Sequence, residues 1–149
     1  MDAVTYPNSE VVQYLSEHFV CFKPRLDAHR ELAKQFGVTW TPGLVWLDEA
    51  GEVCHQNVGY FAPEELLAEC AFGLGKVAVG KGDWKEARAC FTEVVEMWPK
   101  SFAAPAALYW NGVASKLATK DAQPLLENWN RLIDEHSDSA WAMKVSFLR

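Results

Sequence analysis

The sequence predicts an α/β domain followed by an all-α tail, and three observations carry that prediction. The stretch Phe36–Gly59, FGVTWTPGLVWLDEAGEVCHQNVG, joins a helix end, a proline loop and two apolar runs separated by a turn. Beyond Glu69 the apolar spacing becomes wholly helical. Within that tail an ordered series of small and large residues occurs twice. A chain of 149 residues is then expected to hold two modest units, at residues 1–72 and 73–149.

In chain order, Pro7-Asn8-Ser9 reads as a turn and N-cap, and Val11, Val12, Leu15 and Phe19 recur at helical spacing, so Ser9–His18 is predicted to be an amphipathic helix. Val20–Phe22 reads as an apolar strand, and Ala28–Phe36 as a helix with Leu32, Ala33 and Phe36 on one face. Gly37 suits the left-handed position where a helix stops. Pro42 restricts Thr41 to an extended conformation. Gly43–Leu47 and Glu52–Val58, on either side of the Asp48–Gly51 turn, form an antiparallel hairpin. Pro63 opens the next helix, with Glu64 and Glu65 at the positive end of its dipole.

Taken together, Asp27, Glu31-Leu32-Ala33, Phe36-Gly37-Val38, Pro42, Leu44-Val45, Gly51, Val58-Gly59 and Leu66-Leu67 resemble in order and spacing the second half of a thioredoxin fold. Gly43 departs from the pattern, which commonly has threonine there. Asp2–Val20 is similar to the part of such proteins just after the Cys-x-x-Cys motif. The resemblance therefore implies an N-terminally incomplete thioredoxin-like domain whose redox cysteines and central first strand lie outside this sequence. It implies a cis Thr41-Pro42 bond, with Thr41 and Pro42 as substrate-backbone contact and loop former. It supplies no nucleophile, so no catalytic residue is assigned. Without the central strand, Val20–Phe22 and Leu44–Trp46 would lose a shared partner, and the exposed edge is expected to close up or to recruit a second copy.

In the tail, Leu74-Gly75, Gly82-Asp83-Trp84, Ala87, Phe91 and Pro99 resemble a tetratricopeptide repeat of two antiparallel helices. A degenerate second copy follows, with Gly112, Asp121 and Trp129. Val94-Val95 before Trp98-Pro99-Lys100-Ser101 parallels Leu132-Ile133 before His136-Ser137-Asp138-Ser139. Ala140–Leu148 would be a closing helix or the start of a third unit. Trp84, Trp98, Trp110, Trp129 and Trp141 fall in this half, either as core packing or as a ring-lined groove for a peptide.

Composition narrows the partners. The net charge is -6, from 20 acidic and 14 basic residues, which disfavours nucleic acid and anionic membrane surfaces. No apolar run is long enough to span a bilayer and the N-terminus lacks a signal-peptide pattern, so a cytoplasmic address is the default, with an upstream leader left open. Cys21, Cys54, Cys70 and Cys90 form neither a Cys-x-x-Cys nor a zinc-spaced cluster and read as small core hydrophobes; no metal or cofactor is expected. Cys54-His55 is discounted as a thiolate site because adjacent strand residues face opposite ways. Two functions follow. One is a thiol-disulfide redox protein of the thioredoxin family, silent in this chain; the other is a non-catalytic module that binds a protein or peptide, with self-association through a sheet edge.

Overall fold

A computed structural model describes residues 1–25 and 27–148. Its helices are α1 (Ser9–His18), α2 (Arg30–Gln35), α3 (Pro63–Lys81), α4 (Trp84–Met97), α5 (Ala104–Thr119), α6 (Gln123–Glu135) and α7 (Ala140–Lys144). A 3-10 turn follows at Ser146–Leu148, and the strands are β1 (Gly43–Leu47) and β2 (Val53–Val58). The chain divides into two compact units, Met1–Leu67 and Ala68–Arg149.

The first unit corrects the thioredoxin reading. Helices occupy 59% of the chain, and among the described residues the sheet has only the antiparallel pair β1-β2, so no thioredoxin-like α/β core is present. The local features that suggested it do form. Asn8 caps α1 by accepting from the Glu10 and Val11 amides at 3.0 and 3.2 Å. Gly37 ends α2 at φ 65°, with Val38 N–H donating to the Ala33 carbonyl at 2.8 Å and Gly37 N–H to Lys34 at 3.2 Å. The Thr41-Pro42 bond is cis. Asp48 closes the hairpin turn, accepting from the Ala50 and Glu52 amides at 2.9 Å each. The register pairs Gly43 with Val58 and Trp46 with His55, then shifts past Cys54 to pair Leu47 with Val53.

What fails is the long-range part. Val20–Phe22 is not a strand: Val20 is 104% exposed and Phe22 70%. An apolar extended segment becomes a strand only when its amides and carbonyls find a ladder. Here Lys23 instead ion-pairs with Asp2 and stands over the Tyr6 ring at 5.0 Å, fixing the segment's end to the N-terminal turn. The helix expected at Ala28–Phe36 is also shorter, because Ala28 and His29 amides bond back to the Arg25 carbonyl as a turn before α2 begins. No described side chain of α2 is buried. The buried residues of this unit are few: Thr5, Val11, Trp46, Phe61, Leu66 and Leu67. Thr5 donates to the Phe61 carbonyl at 2.6 Å, which satisfies its buried hydroxyl.

The second unit is a densely packed helical array. Gly82, at φ 72°, and Asp83, which accepts from the Glu86 amide at 3.0 Å, turn α3 into α4. Phe72 and Phe91 rings lie 5.4 Å apart, and a methyl group on Gly75 would come within 2.4 Å of the Phe91 ring. Glycine is therefore what lets α3 close on α4. The next helix pair repeats the device: a methyl on Gly112 would reach Trp129 at 3.1 Å. Phe91 and Trp129 are 38 positions apart, as are Asp83 and Asp121, and Trp98 and His136. At the last pair the turn is reproduced bond for bond, Ser101 N–H donating to Trp98 and Ser139 N–H to His136, each at 3.0 Å. Lys120 at φ 61° occupies the place that Gly82 holds in the first copy. Asn111 ties α5 to α4, donating to Thr92 at 2.8 Å and accepting from Ser115 at 3.1 Å. Beyond α6, the single closing helix expected over Ala140–Leu148 is broken into α7 and the 3-10 turn, while position 149 lies outside the described residues.

Candidate protein-docking surface

The last helices gather aromatic side chains into one cluster. Tyr109 on α5 stacks on Trp129 of α6 at 5.3 Å and 17°, and meets Trp141 of α7 at 5.2 Å. Trp110 stands edge-on to Tyr109 at 5.9 Å, and Phe147 of the 3-10 turn edge-on to Trp129 at 6.0 Å. The cluster forms because Gly112, one turn along from Tyr109, clears room for the Trp129 indole beside α5. That indole N–H then donates to the Tyr109 carbonyl at 3.2 Å, so the ring is fixed by its polar edge as well as by stacking.

Two lysines complete the surface. Lys76 Nζ lies 3.7 Å from the Trp110 ring centre and Lys144 Nζ 3.9 Å from that of Trp141, each within cation–π range. Tyr109, Trp110, Trp129 and Trp141 are half-buried, while Phe147 is 70% exposed and Met143 69%. The rings thus pack against one another on one side and keep part of their surface in solvent. Trp84 and Trp98 are half-buried too, so none of the five tryptophans singled out in the sequence is fully buried. Tyr109 and Phe147 were not singled out in the sequence; helix packing brings them to the tryptophans.

The residues nominated in the first unit are placed differently. Thr41 is exposed and lines a shallow cleft with Pro24, Arg25, Asp27 and Arg30; Pro42 is half-buried, its carbonyl accepting from Gly59 N–H at 2.8 Å. Arg25 pairs with Asp27 at 2.7 Å, and that hydrogen bond holds the exposed Asp27 carboxyl below its ordinary range. The substrate-contact role of Thr41 and Pro42 came only from the thioredoxin resemblance, and the two-stranded sheet removes the frame that supplied it.

None of the four cysteines forms a disulfide. Cys70 and Cys90 are buried as expected, Cys54 is half-buried, and Cys21 is exposed, contrary to the expectation of a core position, because the strand that would have buried it does not form. Burial, reinforced by Glu86 and Glu93, pushes the Cys90 thiol up to about 12 from 9.0, which makes it a poor nucleophile at neutral pH. Among the described residues no group of three or more His, Cys, Asp or Glu side chains is arranged to hold a metal ion, and no helix is long and apolar enough to cross a membrane. Compared with protein families, curated proteins and solved structures, the chain matches none of them.

Proposed function

We propose that this chain is a non-catalytic protein-interaction module, and that its helical unit docks a peptide segment of a partner protein on the aromatic cluster. The observation that carries the reading is the part-exposed ring surface of Tyr109, Trp110, Trp129 and Trp141, extended by Phe147. Rigid aromatic side chains, already fixed by stacking and by the Trp129–Tyr109 hydrogen bond, lose little freedom when a partner arrives, which is why such residues carry a large share of binding energy at interfaces. The ammonium groups of Lys76 and Lys144 at two of the rings favour a segment that brings carboxylates beside an aromatic or apolar anchor. Such a partner complements this local positive edge even though the chain as a whole carries -6.

A displayed library of random peptides, selected on the full chain and on its Trp141→Ala and Lys144→Glu variants, tests this. The expected result is enrichment of peptides pairing an aromatic residue with acidic ones, with fluorescence-anisotropy affinities at least tenfold weaker for Trp141→Ala. Peptides without acidic residues, or equal binding by all three proteins, would overturn it. A cytoplasmic address belongs to the same proposal, motivated by four cysteines without a disulfide, which suit a reducing compartment.

A further inference from the structure

Among the described residues Phe22, Trp40, Tyr60, Phe102 and Phe147 are the exposed aromatic side chains, and their backbones are held very differently. Tyr60 lies between Gly59, whose N–H donates to the Pro42 carbonyl, and Phe61, whose carbonyl accepts from Thr5. Phe102 is the most exposed of them at 84%, yet it sits inside the turn into α5, where Ala104 N–H donates to Ser101 at 3.2 Å and Ser101 N–H to Trp98. Phe147 belongs to the 3-10 turn, which Leu148 N–H closes on the Val145 carbonyl. The Trp40 carbonyl is folded onto Gly43, 3.0 Å from where a methyl group on that glycine would stand. Phe22 differs: among the described residues no backbone hydrogen bond reaches residues 20–24.

This segment is also drawn out and held at both ends. Phe19 is extended, at φ -135° and ψ 148°, with its N–H on the Leu15 carbonyl at the end of α1. Lys23 ion-pairs with Asp2 and stands over the Tyr6 ring. The Phe22 ring meets His29 edge-on at 5.9 Å and still projects into solvent. An endoprotease binds its substrate as an extended strand, through free N–H and C=O groups and a pocket for the side chain before the cut. Backbone already tied in a turn must open first, whereas residues 20–24 need no opening.

We propose that the Phe22–Lys23 bond is a processing site, cleaved in the folded chain by an endoprotease with an apolar primary pocket. Water adds across the amide: the C–N bond breaks, the hydroxyl goes to the Phe22 carbonyl carbon and the proton to the Lys23 nitrogen, leaving a carboxylate and an ammonium. The cut separates α1 from the hairpin in sequence and leaves the helical unit whole. An enzyme directed at basic residues is poorly served here. The Lys23–Pro24 bond carries a ring on its nitrogen, and the Arg25 carbonyl is tied by the Ala28 and His29 amides.

Limited digestion of the full chain with chymotrypsin, read by intact mass, tests this on wild type and on Phe22→Glu and Phe102→Glu. The expected first products end at Phe22 and begin at Lys23, and they form at least tenfold more slowly in Phe22→Glu and at an unchanged rate in Phe102→Glu. The wild-type masses locate the first cut by themselves, so the test survives a variant that does not fold. A first cut after Trp40, Tyr60, Phe102 or Phe147, a wild type that resists digestion, or a Phe22→Glu chain cut as fast as wild type would overturn the proposal.

Discussion

The two units use similar sequence material to different ends. In the helical unit the apolar positions that face neighbouring helices find partners: Phe91, Val94, Leu108, Leu132 and Val145 are buried in the space between helices that the glycines let close. In the first unit the same kinds of residue stand in solvent, with Val20, Phe22, Trp40, Val58 and Tyr60 all exposed. Helices satisfy their backbone within themselves, so an amphipathic pattern needs only a neighbouring helix to finish the fold. A strand cannot do this, and its backbone waits for a partner that the local pattern does not name.

Substitutions at large apolar residues should break along this line. Phe91→Ala, in the middle of the helical unit, is expected to cost about 3–5 kcal/mol in urea unfolding. Phe22→Ser in the first unit, though it removes an equally large ring, should stay within about 0.5 kcal/mol of wild type, because the ring is already in water. A large effect at Phe22 would show that the exposed segment is covered in solution.

The two glycine seats sharpen the contrast within the helical unit. Gly75→Ala drives a methyl group into the fully buried Phe91 ring and should cost about 1–3 kcal/mol despite better helix propensity. Gly112→Ala meets Trp129 and Leu125 at 3.1–3.2 Å, where a shift of a few tenths of an ångström suffices, so the propensity gain of about 1 kcal/mol should leave it near neutral. Equal costs at the two sites would mean that the helix pairs are packed alike. Removing the Asp83 cap, Asp83→Ala, should lower stability by about 1 kcal/mol.

Much of this was legible in the sequence and some was not, for the same physical reason. Asn8, Gly37, Asp48, Asp83 and the turns after Trp98 and His136 act over a few residues, and the structure forms each where the spacing puts it. The thioredoxin reading strung such local signals together and inferred from them a sheet that depends on distant pairing. Val20–Phe22 is apolar like a buried strand but forms no ladder among the described residues, and Cys21 is exposed with it. The aromatic cluster was half visible: tryptophans 110, 129 and 141 stood out by type, whereas Tyr109 and Phe147 join them only through helix packing.

A further effect concerns pH. The Cys90 thiol is raised in the folded state, so between about 9 and about 12 the native chain keeps a proton that the unfolded chain has lost. This contribution is fully present below pH 9 and declines as pH rises. Urea midpoints should therefore fall more steeply between pH 9 and pH 11 in wild type than in Cys90→Ala. In neutral solution iodoacetamide should label Cys21 and leave Cys90 unmodified until the chain unfolds.

Hydrogen exchange followed by mass spectrometry tests the central contrast most directly. Amides of α4, α5 and α6 should be protected close to the global unfolding free energy, while those of residues 19–25 and 27–41 exchange orders of magnitude faster. Uniform protection across both stretches would contradict the account, because it would show that the first unit is as fully packed as the second.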